Sequence, residues 1–295
     1  MLKCVEKNMN ESIVFLNGEF VPSHLAKVSV FDRGFLYGDG LFETMRAYNG
    51  KIFRLDAHLK RLLKSLDIIH IKCSYAQFQL EEALYETMKR NKLTDAYVRL
   101  TVTRGTGGKG LNPHDNCNPT IVIVAKRFNM YTPEQYEKGF KVMVSNFRQN
   151  QFSPIVSLKS MNFLDNIFAR LEAKQGGVDE VIFLNQSGFV TEGSVSNIFM
   201  VSNDAIMTPS CETGILPGIT REVVFELAEN LGFKISEKNF YLKELFSCSE
   251  CFLTNSLIEI MPITRIEDKR LAKGEITNQL MNTYRNLVQR ENIVT

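Results

Sequence analysis

A glycine-rich segment is the first part of the sequence whose spacing suggests chemistry. Residues 105–110 read Gly-Thr-Gly-Gly-Lys-Gly and match G-x-G-x-x-G, the pattern that brings a pyrophosphate to a helix N-terminus in dinucleotide-binding proteins. That site requires a helix directly after the last glycine, whereas this chain continues with the turn-forming run Leu111-Asn112-Pro113. A Walker loop would require Lys-Ser or Lys-Thr at its end. We therefore predict a loop between strands, either a mobile linker or a substrate gate.

The cysteines Cys248 and Cys251 form a C-x-x-C pair, which occurs in zinc and redox sites. A zinc site needs a second pair of ligands at suitable spacing. The four histidines do not supply one, since they lie at widely separated positions 24, 58, 70 and 114. We expect no metal site and interpret the pair as semi-buried thiols at the start of a strand.

Three segments in the second half combine residues that support chemistry only as a set. Lys159 lies in a short apolar stretch before a predicted helix, and Glu192 lies at the end of a predicted strand. Gly218 directly precedes another helix. Taken singly, these residues are typical of a solvated lysine, a turn carboxylate and an ordinary helix cap.

The three segments, in this order, resemble the class IV aminotransferases, the fold-type-IV enzymes that use pyridoxal 5′-phosphate. The resemblance extends across nearly the whole chain. It includes residues 37–46 (Tyr-Gly-Asp-Gly-Leu-Phe-Glu-Thr-Met-Arg), 58–62 (His-Leu-Lys-Arg-Leu) and 254–256 (Thr-Asn-Ser). It implies an α+β fold of two domains, with a small α/β N-terminal domain and a larger, β-rich C-terminal cofactor domain.

The resemblance also implies how the chain would hold the cofactor. Lys159 matches the catalytic lysine that forms a Schiff base with the cofactor aldehyde and then moves the α-proton of the substrate. Glu192 matches the carboxylate that faces the pyridine nitrogen. The residues that match phosphate ligands are Arg61, Ser256 and the backbone N–H groups of Ile219 and Thr220.

Six further residues match the substrate pocket of this family: Tyr37, Phe42, Arg46, Tyr97, Arg99 and Leu257. Residues 96–100 (Ala-Tyr-Val-Arg-Leu) follow the branched-chain pattern, in which the tyrosine and arginine lie near the substrate carboxylate. The sequence departs from that pattern at Phe163, where branched-chain enzymes usually carry a tyrosine, and at Thr44, where they commonly carry glycine. Asn162 is a candidate substitute for the missing phenol.

Three substrate classes remain open within the family: branched-chain L-amino acids, D-amino acids, and the 4-amino-4-deoxychorismate that a lyase converts to 4-aminobenzoate. Residues 104–110 look closer to the lyases, with Lys109 in place of an arginine. We expect a branched-chain enzyme that uses glutamate and 2-oxoglutarate as the second pair of amino acid and 2-oxo acid. The resemblance also implies a homodimer in which the glycine loop of one subunit lies over the site of its neighbour.

Composition is consistent with a folded enzyme. The 295 residues are 44% hydrophobic and 23% charged, with a formal net charge of only +2. Such a balance gives no electrostatic reason to expect binding to nucleic acid or to an anionic membrane. The apolar runs are far shorter than the roughly 20 residues of a membrane-spanning helix. We expect a reduced, cytoplasmic protein.

The elements that must position these residues fall into two predicted domains, residues 1–130 and 131–295. In the first domain, Asn17-Gly18 predicts a hairpin between residues 12–16 and 19–21. The remaining predicted elements of this domain are helices over 55–69 and 75–90, with Ser74 as N-cap, and strands over 96–104 and 119–126. The second domain is predicted to contain strands over 141–147, 180–184, 189–192 and 197–202, and helices over 162–175, from 220 to Gly232, and over 276–289.

Overall fold

The computed structural model describes residues 12–113 and 117–291, and its backbone contacts divide the chain into two units. The first unit comprises the described residues up to Asn129 together with the short segment Lys159–Asn162. The second unit comprises Met130–Leu158 and Phe163–Glu291. Lys159 therefore clusters with the first unit, although it lies beyond residue 130 in the chain.

The described part of the first unit is built on an antiparallel sheet of six strands. In chain order the strands are β1 (Ile13–Leu16), β2 (Glu19–Pro22), β3 (Gly40–Tyr48), β4 (Lys51–Ile52), β5 (Ala96–Thr106) and β6 (Asn118–Arg127). Their order across the sheet is β2-β1-β6-β5-β3-β4. This order places β3 beside β5 and leaves much of the opposite edge of β3 accessible to another segment.

Three helices complete this unit: α1 (Arg33–Tyr37), α2 (Leu55–Ile68) and α3 (Gln77–Arg90). Helix α2 packs on β3 through Leu59, Leu62 and Leu66, which are buried and recur at helical spacing on one face. Burial of such a leucine side chain contributes about 1.5–3 kcal/mol. The packed face therefore fixes α2, and the side chains it carries, against the sheet.

The second unit contains, in its described residues, a nine-stranded mixed sheet. Its strands are β7 (Phe140–Gln149), β8 (Glu180–Asn185), β9 (Val190–Gly193), β10 (Asn197–Ser202), β11 (Ala205–Thr208), β12 (Lys234–Glu237), β13 (Glu250–Asn255), β14 (Glu259–Ile266) and β15 (Lys269–Arg270). The pairings run β10-β13-β14-β7-β8-β9, and β9 pairs again with β10, so these strands form a closed ring. A single register pair, Asn197 with Glu192, joins β9 to β10.

The helices of the second unit are α4 (Pro133–Lys138), α5 (Leu164–Gln175), α6 (Ile219–Asn230), α7 (Leu242–Ser247) and α8 (Glu275–Glu291). Helix α5 packs on β7 and β8 through Ala169 and Ala173, which contact Val181 and Phe183 in a buried cluster. Among the described residues, no helix is long and apolar enough to cross a membrane.

The structure confirms most of the predicted helices and strands and corrects several. The hairpin at Asn17-Gly18 and the predicted strands 96–104, 119–126 and 197–202 are present. The N-cap of α3 is Ala76 rather than Ser74, and α5 begins at Leu164 rather than at residue 162. Elements that the sequence analysis missed are α1, β3, β4, α4, α7 and the strands β11, β12, β14 and β15.

Candidate active site

The segment that carries Lys159 lies on the edge of β3. The backbone N–H of Phe42 donates to the carbonyl of Lys159 at 2.9 Å, and the N–H of Met161 donates to the carbonyl of Gly40 at 2.9 Å. A side chain at Gly40 would not fit, because its Cβ would lie 2.7 Å from the backbone oxygen of Val102 and 2.9 Å from the Cα of Thr103. Residues 159–161 therefore act as an additional short strand, which holds Lys159 opposite Phe42.

One face of the sheet gathers several of the residues that the sequence analysis assigned to substrate. Phe42 and Arg46 are four residues apart on β3 and so lie on the same face, and the register places Arg46 opposite Tyr97 on β5. The Arg99 guanidinium lies 3.7 Å from the centroid of the Phe42 ring, and the Lys159 Nζ lies 4.8 Å from it. The face thus combines an aromatic ring with an amine and a guanidinium.

Arg46 and Tyr37 occupy different environments in the first unit. Arg46 is buried, and its guanidinium lies 4.2 Å from the ring centroid of Tyr48 and 4.8 Å from that of Phe128. Tyr37 is the last residue of α1 and is exposed. The centroid of its ring lies 5.0 Å from the Cζ of Arg33.

Arg61 belongs to a buried charged cluster between α2 and β3. Its Nε and Nη2 donate to the two carboxylate oxygens of Glu43 at 2.8 and 2.7 Å. The Nδ1 of His58 lies 2.7 Å from the same carboxylate. Burial lowers the pKa of His58, and the positive charge of Lys159 adds a smaller effect in the same direction.

The glycine loop is anchored to α1 by Arg33. The Arg33 Nη1 donates to the carbonyl of Gly110 at 2.8 Å, and its Nη2 donates to that of Leu111 at 3.1 Å. Asp39 accepts from the Nε of both Arg33 and Arg104 at 2.8 Å. Burial would raise the pKa of Asp39, but hydrogen bonds and charges from the two arginines lower it. The loop is therefore held in place at its C-terminal half.

In the second unit, Glu192 is a buried carboxylate with three hydrogen-bond donors. Its Oε2 accepts from the Nδ2 of Asn197 at 3.2 Å and from the backbone N–H of Leu216 at 3.1 Å. Its Oε1 accepts from the Nε2 of Gln149 at 3.3 Å. Donors on both oxygens fix the direction of the carboxylate.

The segment before α6 is held against the same strands. The Nδ2 of Asn197 donates to the carbonyl of Leu216 at 2.8 Å. Gly218 is the N-cap of α6, and a Cβ at this position would lie 2.0 Å from the Oδ1 of Asn197. Ile219 and Thr220 follow as the first two residues of the helix, where backbone N–H groups lack partners within the helix. Such an N-terminus attracts anions.

Ser256 and Leu257 lie in a tight turn between β13 and β14. The Oδ1 of Asn255 accepts from the backbone N–H of Leu257 at 2.8 Å and of Ile258 at 2.9 Å. The Nδ2 of Asn255 donates to the carbonyl of Val195 at 2.9 Å. This bond ties the turn to the connection between β9, which carries Glu192, and β10.

The residues present fit pyridoxal phosphate by the chemistry of their functional groups. Lys159 provides an amine for the aldehyde, and Glu192 provides an oriented carboxylate for the ring nitrogen. Arg61 and the N-terminus of α6 are anion-binding groups suited to a phosphate.

Comparisons with known proteins identify the family. The model of the family described as "Amino-transferase class IV" matches residues 40–266. The chain belongs to the class IV aminotransferases. It is therefore a pyridoxal-phosphate-dependent aminotransferase, which confirms the family, the reaction class and the cofactor expected from the sequence.

Individual class IV aminotransferases resemble the chain over nearly its whole length. A Methanocaldococcus jannaschii protein, provisionally named a branched-chain-amino-acid aminotransferase, is 38% identical over 93% of this chain and 96% of its own length. The aminodeoxychorismate lyase of Bacillus subtilis is 34% identical over 92% of this chain and 94% of its own length. The crystal structure of a branched-chain aminotransferase from Thermoproteus uzoniensis with norvaline superposes with a TM-score of 0.88, at 35% identity and 95% coverage of both chains. The predicted α+β fold class is confirmed.

Several residues around the site were not singled out by the sequence analysis. Glu43 and His58 lie within the family motifs quoted above, but no role was assigned to them. Asn197 directs Glu192, and Arg33 anchors the glycine loop. Cys251 lies near the start of β13, as predicted, whereas Cys248 caps the C-terminus of α7, and both thiols are buried rather than semi-buried. Among the described residues, no group of three or more histidines, cysteines or carboxylates could hold a metal ion.

Proposed function

We propose that this aminotransferase transfers the amino group of branched-chain L-amino acids to 2-oxoglutarate, forming glutamate. The observation that supports this substrate class is the Phe42 ring with the Arg99 guanidinium at 3.7 Å and the Lys159 Nζ at 4.8 Å. An aromatic surface suits an aliphatic side chain, and an arginine suits the carboxylate of an amino acid or of 2-oxoglutarate.

In this proposal, Arg61, Ser256 and the N–H groups of Ile219 and Thr220 hold the phosphate of the cofactor. Lys159 holds the cofactor covalently through its Nζ and, once the substrate has displaced it, moves the substrate α-proton. Glu192 keeps the ring nitrogen protonated. The cofactor supplies an electron sink for the electrons left at the α-carbon.

The proposed substrate residues are Tyr37, Phe42, Arg46, Tyr97, Arg99 and Leu257. Among these, Arg99 is proposed to bind the carboxylate, and Phe42 to contact the side chain of the amino acid. Arg46 is stacked between two rings, so we propose that it shapes the pocket by holding Tyr48 and Phe128. Phe163 replaces the phenol of the family pattern, and Asn162 donates through its Nδ2 to the carbonyl of Gly38 at 3.1 Å.

The experiment that tests the proposal is the visible absorption of the purified holoenzyme as L-leucine is added. We expect a yellow protein whose band is replaced by that of the pyridoxamine form, and whose yellow colour returns with 2-oxoglutarate. D-alanine added to a separate sample serves as the stereochemical control and should leave the spectrum unchanged. A yellow protein that ignores L-leucine would contradict the substrate assignment.

A lyase is the second candidate function. It is favoured by the 34% identity to the B. subtilis aminodeoxychorismate lyase and by the lyase-like loop 104–110. The two functions differ in product, because a lyase releases 4-aminobenzoate and pyruvate, whereas a transaminase releases a 2-oxo acid and glutamate. Formation of 4-aminobenzoate from 4-amino-4-deoxychorismate, without any reaction of L-leucine, would favour the lyase.

We also propose that the protein is a homodimer. Helix α5 exposes Leu164, Ile167, Phe168 and Leu171, which are spaced to form one apolar stripe on the side away from Ala169. Apolar faces of this kind on a folded chain mark interaction surfaces. A second exposed group, residues Leu25, Val28, Val30, Phe31 and Phe35, lies in and before α1.

A charged residue in the α5 stripe tests this proposal. We expect Ile167→Asp to convert a dimer into a monomer in sedimentation velocity, because the carboxylate would be buried without a partner at the interface. Asp165→Lys, at an exposed position of the same helix that lies off the stripe, is the matched control and should remain dimeric. A wild-type monomer with full activity would contradict the proposal.

A further inference from the structure

Glu43 is a buried carboxylate to which the proposed function gives no role. It lies in the middle of β3 and is 0% exposed to solvent. A carboxylate in such a position is destabilising unless opposite charges and hydrogen bonds compensate for the lost hydration. Here Arg61 and His58 supply them, through the three contacts of 2.7–2.8 Å described above.

The contact with Arg61 determines the orientation of the guanidinium. Nε and Nη2 bind the two carboxylate oxygens side by side, and such a bidentate fork fixes the plane of the guanidinium as well as its position. His58 and Arg61 lie three residues apart, on the same face of α2. Both side chains therefore meet Glu43 from one helix, and a rigid strand supports the carboxylate.

The protonation states of the cluster follow from the same contacts. Burial would raise the pKa of Glu43, but Arg61 and His58 lower it to about 2, so Glu43 is ionised at neutral pH. Burial lowers the pKa of His58 and outweighs the opposing effect of Glu43, and the charges of Arg61 and Lys159 lower it further. A neutral imidazole beside an ionised carboxylate must donate from Nδ1, which leaves the lone pair on Nε2.

We propose that Glu43 is a positioning residue: it aims Arg61 at the cofactor phosphate and fixes His58 as the Nδ1-protonated tautomer. This inference rests on the proposed role of Arg61 as a phosphate ligand. A positioning role differs from a purely structural one in its effect. Loss of the Glu43 charge should weaken phosphate binding through Arg61, whereas loss of a carboxylate that only stabilises the fold should not.

The test compares two aldehydes that differ only in the phosphate. We expect Glu43→Gln apoenzyme to bind pyridoxal phosphate about 10- to 100-fold more weakly than wild type, the range set by losing a charge-assisted hydrogen bond. Binding of pyridoxal, which lacks the phosphate, should change less than about 3-fold. Both affinities are measured by equilibrium absorbance titration. In an Arg61→Ala background, Glu43→Gln should have no further effect on the ratio of the two affinities, because its partner is missing.

Asp32→Asn is the matched control. Asp32 is also 0% exposed in the first unit, and it accepts hydrogen bonds from Thr103, Thr120 and the backbone N–H of Gly34. We expect this variant to lose stability with no change in the affinity ratio. If Glu43→Gln leaves the ratio of the affinities for pyridoxal phosphate and pyridoxal unchanged, while wild type binds pyridoxal phosphate normally, the inference about Glu43 is wrong and the proposed function stands. Failure of wild type to bind pyridoxal phosphate would overturn the proposed function as well.

A measurement on the wild-type holoenzyme covers the case in which Glu43→Gln does not fold. Nitrogen NMR of ¹⁵N-histidine-labelled protein reports the tautomer of each imidazole. We expect His58 to be neutral and protonated at Nδ1 at neutral pH and above, because burial lowers its pKa below the ordinary histidine value. A signal from the Nε2-protonated tautomer, or from an imidazolium at neutral pH, would overturn the assignment.

Discussion

Lys159→Ala is expected to abolish transamination, with a loss of kcat of at least about 10⁴-fold. The reason is that two functions reside in one amine. The Nζ holds the cofactor covalently, and it also moves the substrate α-proton. Lys159 is half-buried, and its Nζ lies 4.8 Å from the centroid of the Phe42 ring. Stopped-flow absorbance with L-leucine in a single turnover measures the loss directly.

Two controls separate chemistry from folding in this variant. Lys89→Ala removes a lysine that is exposed on α3, and we expect it to retain wild-type kcat. Methylamine added to Lys159→Ala should restore part of the rate, because a small amine can occupy the space left by the side chain. A Lys159→Ala variant with full activity would remove Lys159 from the mechanism.

The sequence predicts the elements whose signals are local. Asn17-Gly18 identifies a hairpin because few other dipeptides accept positive φ at both positions, and both residues do have positive φ. The helical spacing of its leucines predicts helix α2. Helix α4 was missed although its signals are present, since Thr132 caps it and Pro133 occupies its first turn.

Strand β3 was missed for a physical reason. Eight of its nine residues are buried, including Glu43 and Arg46, so no polar and apolar alternation marks it as a strand. Its register with β5, and the pairing of its other edge with residues 159–161, depend on contacts between distant parts of the chain. Sequence spacing therefore cannot show that Lys159 lies opposite Phe42.

In the candidate site, too, the sequence identifies individual residues but not the contacts between distant parts of the chain. Family motifs identify Lys159, Glu192 and Arg61 as single residues, but not the side chains that direct them. The partners Glu43 and Asn197 are recognised only when the strands are paired, because each acts across a strand or a helix rather than along the chain. Gly218 is a similar case, since the need for glycine arises from the nearby Oδ1 of Asn197.

Glu192→Gln is expected to retain the cofactor and to lower kcat by about 10²-fold or more, the usual effect of removing one preorganised electrostatic group. The amide has nearly the same shape as the carboxylate and can still accept from Asn197 or Leu216 through its oxygen. It loses the negative charge that would keep the ring nitrogen protonated. The loss should therefore appear in the proton-transfer step, measured as a slower single-turnover rate with α-deuterated and unlabelled L-leucine.

The affinity for pyridoxal phosphate distinguishes this charge effect from simple disruption of the site. The amide nitrogen introduced by Glu192→Gln would face a donor, either Gln149 or the pair formed by Asn197 and Leu216, so some loss of stability is expected in the variant. Glu229→Gln, an exposed change on α6, should leave both rate and affinity unaltered. A Glu192→Gln enzyme that binds the cofactor normally and turns over at the wild-type rate would show that no charge is needed at this position. Because the proton-transfer step depends on that charge in our proposal, such a result would exclude Glu192 as the partner of the ring nitrogen while leaving the role of Lys159 intact.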